Sequence, residues 1–192
     1  MQPFMSRRLF LQTSLICVGA TGGAGRLLAA VDERKCQLSL HELSLSRRLS
    51  SGQTRHLDLA QTARTRFDIS AVEYASPFFA EHIGDQKYLK EMNTRAADQG
   101  VRQLLITVDG QGRLGAPDPE QRRKSVSDHR PWLEVAEQLG CHSIEVEISS
   151  AGTPEEQLGR VAEGVAMLCE RAERHHINVL AGCRAGQPVE TS

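Results

Sequence analysis

The stretch Arg102-Gln-Leu-Leu-Ile-Thr-Val-Asp109 has the alternation of a β-strand with one apolar face. Leu104, Ile106 and Val108 fall on one side of such a strand. Thr107 and Asp109 therefore point to the other side. Four further apolar or alternating runs are separated from one another by helical stretches, and they span residues 37–45, 70–74, 142–148 and 178–180. Strands that alternate with helices predict right-handed βαβ units on a parallel sheet, and hence an α/β fold.

The stretches between these runs have helical signatures. We predict helices over residues 57–67, 87–99 and 119–139, and Pro131 predicts a kink in the third or its division in two. A fourth helix begins after Thr153, because Thr153-Pro-Glu-Glu156 is a capping box. We expect its apolar face to consist of Leu158, Val161, Val165, Leu168 and Ala172.

The composition excludes several classes of protein. The chain has 192 residues, 23 basic and 24 acidic side chains, and a formal net charge of −1. Its basic residues do not cluster with aromatic residues into a surface that follows a phosphate backbone, which argues against a nucleic-acid partner. Its five cysteines lack the CxxC spacing of zinc and redox sites, and the odd number argues against a disulfide framework.

The first 30 residues have the features of an export signal. Ser6-Arg7-Arg8-Leu9-Phe10-Leu11-Gln12 matches the twin-arginine pattern, and Leu28-Ala29-Ala30 supplies small residues for cleavage. The segment is too short and too polar to span a bilayer stably. We predict that residues 1–30 form a twin-arginine signal peptide and that the protein is exported to the periplasm or another extracytoplasmic compartment.

Polar side chains are predicted to converge at one end of the sheet. Alternation points four of them away from the helices: His41, Glu73, Asp109 and Glu147. Ligands of parallel β/α folds bind at the carboxyl ends of the strands, and gathered carboxylates repel one another unless a cation, a proton or an arginine compensates. Such a set suits a sugar and a divalent cation, although no residue is assigned as a metal ligand. The alternative is that these strand ends are merely solvated.

Four segments, taken in order, carry a resemblance to a known family. They are Leu38-Ser-Leu-His-Glu-Leu-Ser-Leu45, Phe67-Asp-Ile-Ser-Ala-Val-Glu-Tyr74, the stretch that ends at Asp109, and Leu139-Gly-Cys-His-Ser-Ile144. Together they resemble the N-terminal half of xylose isomerase-like TIM barrels, a family of sugar phosphate isomerases and epimerases. The resemblance covers roughly residues 36–180 and implies a partial (β/α)8 barrel of about four and a half βα units.

The resemblance also implies a chemistry. It implies metal-assisted proton transfer on a sugar or sugar-like substrate, with manganese, magnesium or zinc as the cofactor of the complete barrel. Glu73 and His41 are then the candidate catalytic residues, and Asp109 and Glu147 are candidates for substrate binding. Relatives continue the fifth strand into a Glu of the metal site, whereas Ala181-Gly182-Cys183-Arg184 follow Leu180 here. We therefore expect residues 181–192 to be a divergent tail of a truncated chain, which argues against activity of this chain by itself.

Two alternatives remain open. A noncatalytic exported binding or assembly protein is compatible with a half-barrel, and an open barrel edge predicts self-association. The enzyme interpretation requires a divalent ion and activity, whereas the binding interpretation requires neither. The second alternative is a different small doubly wound domain that is complete in this length. It is disfavoured because no glycine-rich phosphate loop follows the first strand.

Overall fold

The computed structural model describes residues 37–182, so the predicted signal peptide and most of the predicted tail lie outside the described residues. Within this range, five parallel strands form one sheet in the order of the chain. The strands are β1 Leu40–His41, β2 Ala71–Ala75, β3 Arg102–Val108, β4 Ser143–Glu147 and β5 Asn178–Gly182. Helices connect successive strands, which confirms the predicted α/β class. In this part of the chain no helix is long and apolar enough to cross a membrane.

The helices agree closely with the predicted ones. They are α1 Ser46–Ser50, α2 Leu59–Phe67, α3 Gln86–Asp98, α4 Pro119–Asp128, α5 Arg130–Gln138 and α6 Pro154–Ala172. The stretch over 119–139 is divided in two, as Pro131 predicted, and Pro131 lies in the first turn of α5, where its ring displaces no helical hydrogen bond. The capping box of α6 is confirmed, because Thr153 and Glu156 exchange side-chain to backbone hydrogen bonds of 3.3 and 3.2 Å.

The predicted apolar face of α6 is wrong at its start. Leu158 is 73% exposed. The buried residues of this helix begin at Gly164 and continue with Leu168 and Ala172. Leu158 precedes the part of α6 that packs on the rest of the protein, so its apolar side chain remains in solvent.

The predicted first strand is also wrong in its extent. β1 contains only Leu40–His41, and the chain continues as a 3-10 helix over Glu42–Leu45 and then as α1. Two hydrogen bonds make the turn: the Leu43 N–H donates to His41 Nδ1 at 3.2 Å, and the Ala75 N–H donates to Glu42 Oε2 at 2.9 Å. The Glu42 carboxyl group is therefore buried under the turn instead of alternating along a strand.

The outer face of the sheet forms the core with the helices. Its apolar residues are at most 2% exposed: Val72, Tyr74, Ile106, Val108, Ile144 and Val146. Burial of each such aliphatic side chain contributes about 1.5–3 kcal/mol to folding. The predicted assignment of these residues to the helix-facing side is confirmed, and the residues between them face the inside of the barrel arc.

Gly164 lets α6 approach the β3–α4 connection. A Cβ atom at this position would overlap the carbonyl oxygen of Leu114, which is a backbone atom with little freedom to move. Leu114 is itself fully buried, and the neighbouring Gly115 N–H donates to Ser149 O at 3.1 Å. Contact between α6 and this connection therefore requires a residue without a side chain.

We expect Gly164→Ala to lower the free energy of unfolding by about 1–3 kcal/mol, because the added methyl group forces α6 away from Leu114. Gly159→Ala is the matched control on the same helix, since a Cβ there meets nothing within 4 Å. The control should instead stabilise the protein by up to about 1 kcal/mol through helix propensity. Urea unfolding of both variants measures the difference, and equal stabilities would contradict the close approach.

Candidate functional site

The inner face of the sheet carries a row of polar side chains. His41 on β1 lies beside Glu73 on β2 in the parallel register, and Thr107 on β3 lies beside Glu145 on β4. The register shifts between Val72 and Glu73, where β2 meets β3. These side chains project from the face opposite the buried apolar residues, as alternation predicted. The row therefore extends across four strands.

Ser39 orients Glu73. The Ser39 hydroxyl donates a hydrogen bond of 2.6 Å to Glu73 Oε1. Both residues are half-buried, so the carboxyl group is held by a protein donor and remains open to the inside of the arc.

His41 reaches across β2 to Thr107. Its Nε2 lies 3.0 Å from Thr107 Oγ1, although β2 separates the two strands. Ala75 is the register partner of Thr107 on β2. Because Ala75 has only a methyl group, it leaves room for the imidazole ring above it. The short side chain thus permits a contact that spans two strand spacings.

The hydrogen bonds along this row all run in one direction from donor to acceptor. His41 Nδ1 accepts from the Leu43 N–H, so the neutral ring carries its hydrogen on Nε2. Nε2–H then donates to Thr107 Oγ1, and the Thr107 hydroxyl donates to Glu145 Oε2 at 3.0 Å. His41, Thr107 and Glu145 form a directed chain that ends on a carboxylate.

Asp109 and Glu147 lie at the other end of the site. They line one small cavity together with Thr107, Glu145, Val146 and Gly182. The Asp109 N–H donates to Ser76 Oγ at 2.9 Å, which fixes the end of β3. A Cβ at Gly182 would lie 2.5 Å from Glu145 Oε1, so the glycine makes room for this carboxylate. The four predicted residues are thus on one face, but His41 and Glu73 contact partners other than Asp109 and Glu147.

Sequence analysis missed three members of the site: Ser39, Thr107 and Glu145. Alternation along their strands is sufficient to put Thr107 and Glu145 on the inner face, and the signal that selects them is the register that sets the two side by side. The choice of Asp109 and Glu147 rested on their positions at the strand ends. Within residues 37–182, no three His, Cys, Asp or Glu side chains are grouped closely enough to hold a metal ion.

Thr107→Val keeps the volume of this buried residue but removes the hydroxyl that joins His41 to Glu145. We expect the free energy of unfolding to fall by about 1 kcal/mol, because the His41 Nε2–H loses its acceptor. The Leu43 N–H still donates to Nδ1 and keeps the Nε2–H tautomer, so the nitrogen-15 shift of Nε2 should change while that of Nδ1 stays nearly the same.

Two variants control this experiment. Thr107→Ser keeps the hydroxyl and should keep the wild-type nitrogen-15 shift of His41 Nε2. Thr94→Val, on the exposed side of α3, should leave both the His41 spectrum and the stability nearly unchanged. An unaltered His41 spectrum in Thr107→Val would show that the directed chain does not exist.

Comparison with known proteins was made at the level of sequence families and of structures. The family model described as xylose isomerase-like TIM barrel matches residues 59–190, which is more than half of the chain. A search of curated proteins gives no significant match.

Several solved structures are similar to the chain. The IolI protein with a bound zinc atom is 11% identical, with a TM-score of 0.59 over 77% of this chain and 51% of that one. D-psicose 3-epimerase from Clostridium cellulolyticum H10, solved with D-tagatose, is 15% identical, with a TM-score of 0.54 over 66% and 46% of the two chains. A sugar phosphate isomerase/epimerase from Parabacteroides distasonis is 14% identical, with a TM-score of 0.55 over 85% and 60%.

These similar structures show the fold of the chain and how much of each neighbour's length it matches. The matched part is about half the length of the similar structures, from 46% to 60% in these three. The five-stranded parallel sheet corresponds to part of the barrel in those proteins. Because the family model covers most of the described sheet, the chain belongs to the xylose isomerase-like TIM barrel family.

Proposed function

We propose that this chain supplies the N-terminal part of a sugar isomerase or epimerase, which moves a proton next to the carbonyl group of a sugar or sugar-like substrate. The observation that carries the proposal is the polar row on the inner face of a xylose isomerase-like sheet. Barrels of this kind bind their substrates inside the arc, at the carboxyl ends of the strands. The neighbouring epimerases and isomerases support the substrate class.

Glu73 is the proposed base. Its carboxylate is oriented by Ser39, and its half-buried position lets one oxygen reach a substrate C–H group inside the arc. Abstraction of a proton beside a carbonyl group requires a carboxylate or imidazole held within hydrogen-bond reach of the reacting carbon. His41 lies next to Glu73 in the register and is the second proton-transfer candidate.

The remaining polar residues are proposed to hold the sugar. Asp109 and Glu147 line the cavity at the end of β3 and β4, where carboxylate oxygens accept hydrogen bonds from sugar hydroxyl groups. The chain from His41 through Thr107 to Glu145 keeps the neighbouring side chains in one arrangement. Substrate orientation of this kind contributes to the rate by reducing the entropy lost at the reacting geometry.

The proposed function includes a divalent metal only for the complete barrel. The side chains of residues 37–182 do not fit an ion by themselves, since they provide no group of three ligands. The zinc atom in the IolI structure and the family match support a metal held by parts of the barrel outside residues 37–182.

We also propose that the protein is exported by the twin-arginine route and that the arc associates with further strands at its open edge. The twin-arginine pattern at Ser6–Gln12 supports export. The partly exposed β5, with Leu180 at 42% exposure, supports association. The alternative function is a noncatalytic exported binding or assembly protein, with which a half-barrel and its open edge are also compatible.

Glu73→Gln should lower proton exchange on the sugar by about 10²–10⁴-fold, because the base is lost while Ser39 keeps a partner. The 192-residue protein is incubated in D2O with Mn²⁺ and D-tagatose or D-fructose, and NMR measures deuterium beside the carbonyl group. Glu91→Gln, a surface change on α3, is the control and should exchange at the wild-type rate. Exchange at the wild-type rate in Glu73→Gln would contradict the role of Glu73 as the base, and sugar binding without exchange in the wild-type protein would favour the noncatalytic alternative.

A further inference from the structure

Glu42 and His56 form a buried pair beside the turn that carries His41. Glu42 is fully buried and the His56 side chain is 9% exposed. Glu42 Oε2 accepts the Ala75 N–H at 2.9 Å, which leaves Oε1 pointing at His56 Nε2, 3.2 Å away. The pair lies on the helix side of the sheet, where the His56 ring packs between Phe79 and Tyr88.

The two facing atoms require a proton between them. Neither Glu42 Oε1 nor His56 Nε2 has another hydrogen-bond partner in residues 37–182. Two lone pairs at this distance in a buried site repel each other, whereas one shared proton satisfies both atoms. With that proton donated to Nε2, His56 carries its own hydrogen on Nδ1 and donates it to the Tyr88 hydroxyl at 2.7 Å. The pair therefore holds one acidic proton.

The same carboxyl group positions the candidate catalytic row. Glu42 follows His41 directly and begins the 3-10 turn whose Leu43 N–H donates to His41 Nδ1. Glu42 Oε2 accepts the Ala75 N–H and so holds this turn against the end of β2. Ala75 is also the residue over which the His41 ring extends to Thr107. Displacement of Glu42 would move His41 relative to Glu73 and Thr107.

We propose that Glu42 and His56 act as a positioning pair, whose shared proton holds the His41 turn against the end of β2 and whose loss releases it. The role in proton transfer rests on the proposed function, whereas the coupling between the pair and His41 does not. A negative charge on Glu42 in this buried site would meet only neutral donors, namely the Ala75 N–H and, if the His56 hydrogen moves from Nδ1 to Nε2, the His56 N–H. Without a compensating positive charge, loss of the proton weakens the turn.

Burial sets the pH at which this proton leaves. It raises the pKa of Glu42 to about 8 and lowers the pKa of His56 to about 4. Burial also raises the pKa of Tyr88 to about 12 and that of Cys141 to about 12, and it raises the pKa of Tyr74 further above its usual value. The other titratable or charged groups around the pair are His82, which stacks on Tyr88, and Asp85 and Arg95, which act on Tyr88.

The pH dependence of stability that this pair contributes is set by the number of protons it binds in the folded and in the unfolded state. Between pH 4.5 and 6.5 the folded pair and the unfolded chain each hold one proton, so this pair adds no pH dependence. Between pH 6.5 and 8 the folded pair keeps its proton and the unfolded chain holds none, so rising pH favours unfolding by up to tenfold per pH unit. The unfolding equilibrium constant should therefore increase by about 30-fold over the whole titration, from roughly pH 5.5 to pH 9, of which about eightfold falls between pH 6.5 and 8. Glu42→Gln should remove this increase.

NMR of the 192-residue protein tests the coupling. In the wild type, the Glu42 carboxyl carbon should titrate near pH 8, and the signals of the Leu43 amide and the His41 ring should shift with it. Glu42→Gln can still accept from Ala75 and donate to His56, so it should fold, but its Leu43 and His41 signals should not move near pH 8. Glu91→Gln removes a similar charge from the surface of α3 and should titrate as the wild type does.

Two results would overturn the positioning role: a Glu42 pKa near 4.5, or a Glu42 titration that the His41 and Leu43 signals do not follow. If sugar exchange occurs, kcat should fall above pH 8 at constant KM in the wild type and stay level in Glu42→Gln. Coupled NMR signals together with sugar exchange that Glu73→Gln does not slow would contradict the proposed function and leave the positioning pair intact.

Discussion

Burial of the outer face of the sheet is the constraint on which the other features depend. Val72, Ile106 and Ile144 are fully buried against the helices. Because side chains alternate along a strand, this burial sends the residues between them to the inside of the arc. A shift of one residue in any strand would expose its apolar row and bury its carboxylates, which costs several kcal/mol for each unpaired charge. The positions of Glu73, Thr107 and Glu145 are thus consequences of core packing.

This constraint explains how much could be predicted from the sequence. The alternation of Ile106 and Val108 with Thr107 is visible in the sequence, and so are the capping box at Thr153 and the break at Pro131. These signals are local, since each depends on a few neighbouring residues. They were sufficient for the α/β class, for the division of α4 from α5, and for the face on which the candidate site lies.

The errors concern interactions between residues that are distant in sequence. Alternation alone extended β1 through Leu45, because the hydrogen bond from Ala75 that draws Glu42 out of the strand joins residues 33 positions apart. Selection of Thr107 required the register of three strands and the small side chain of Ala75. Leu158 fits the helical period, but periodicity does not show where α6 begins to contact the rest of the protein. Strand or helix propensity and hydrophobic periodicity predict that an element exists, whereas its first and last residues depend on contacts with residues distant in sequence.

The environment of the polar row determines what chemistry it can perform. In the five-stranded arc, Glu73, Glu145 and Glu147 are only partly buried, so water screens their charges from one another. Enclosure by further strands would remove that water, strengthen the repulsion between the carboxylates, and also strengthen the interaction of each with a bound sugar or cation. Such an enclosed row needs compensating positive charge, which a bound cation would supply. The need for a cation thus increases as water is excluded from the row.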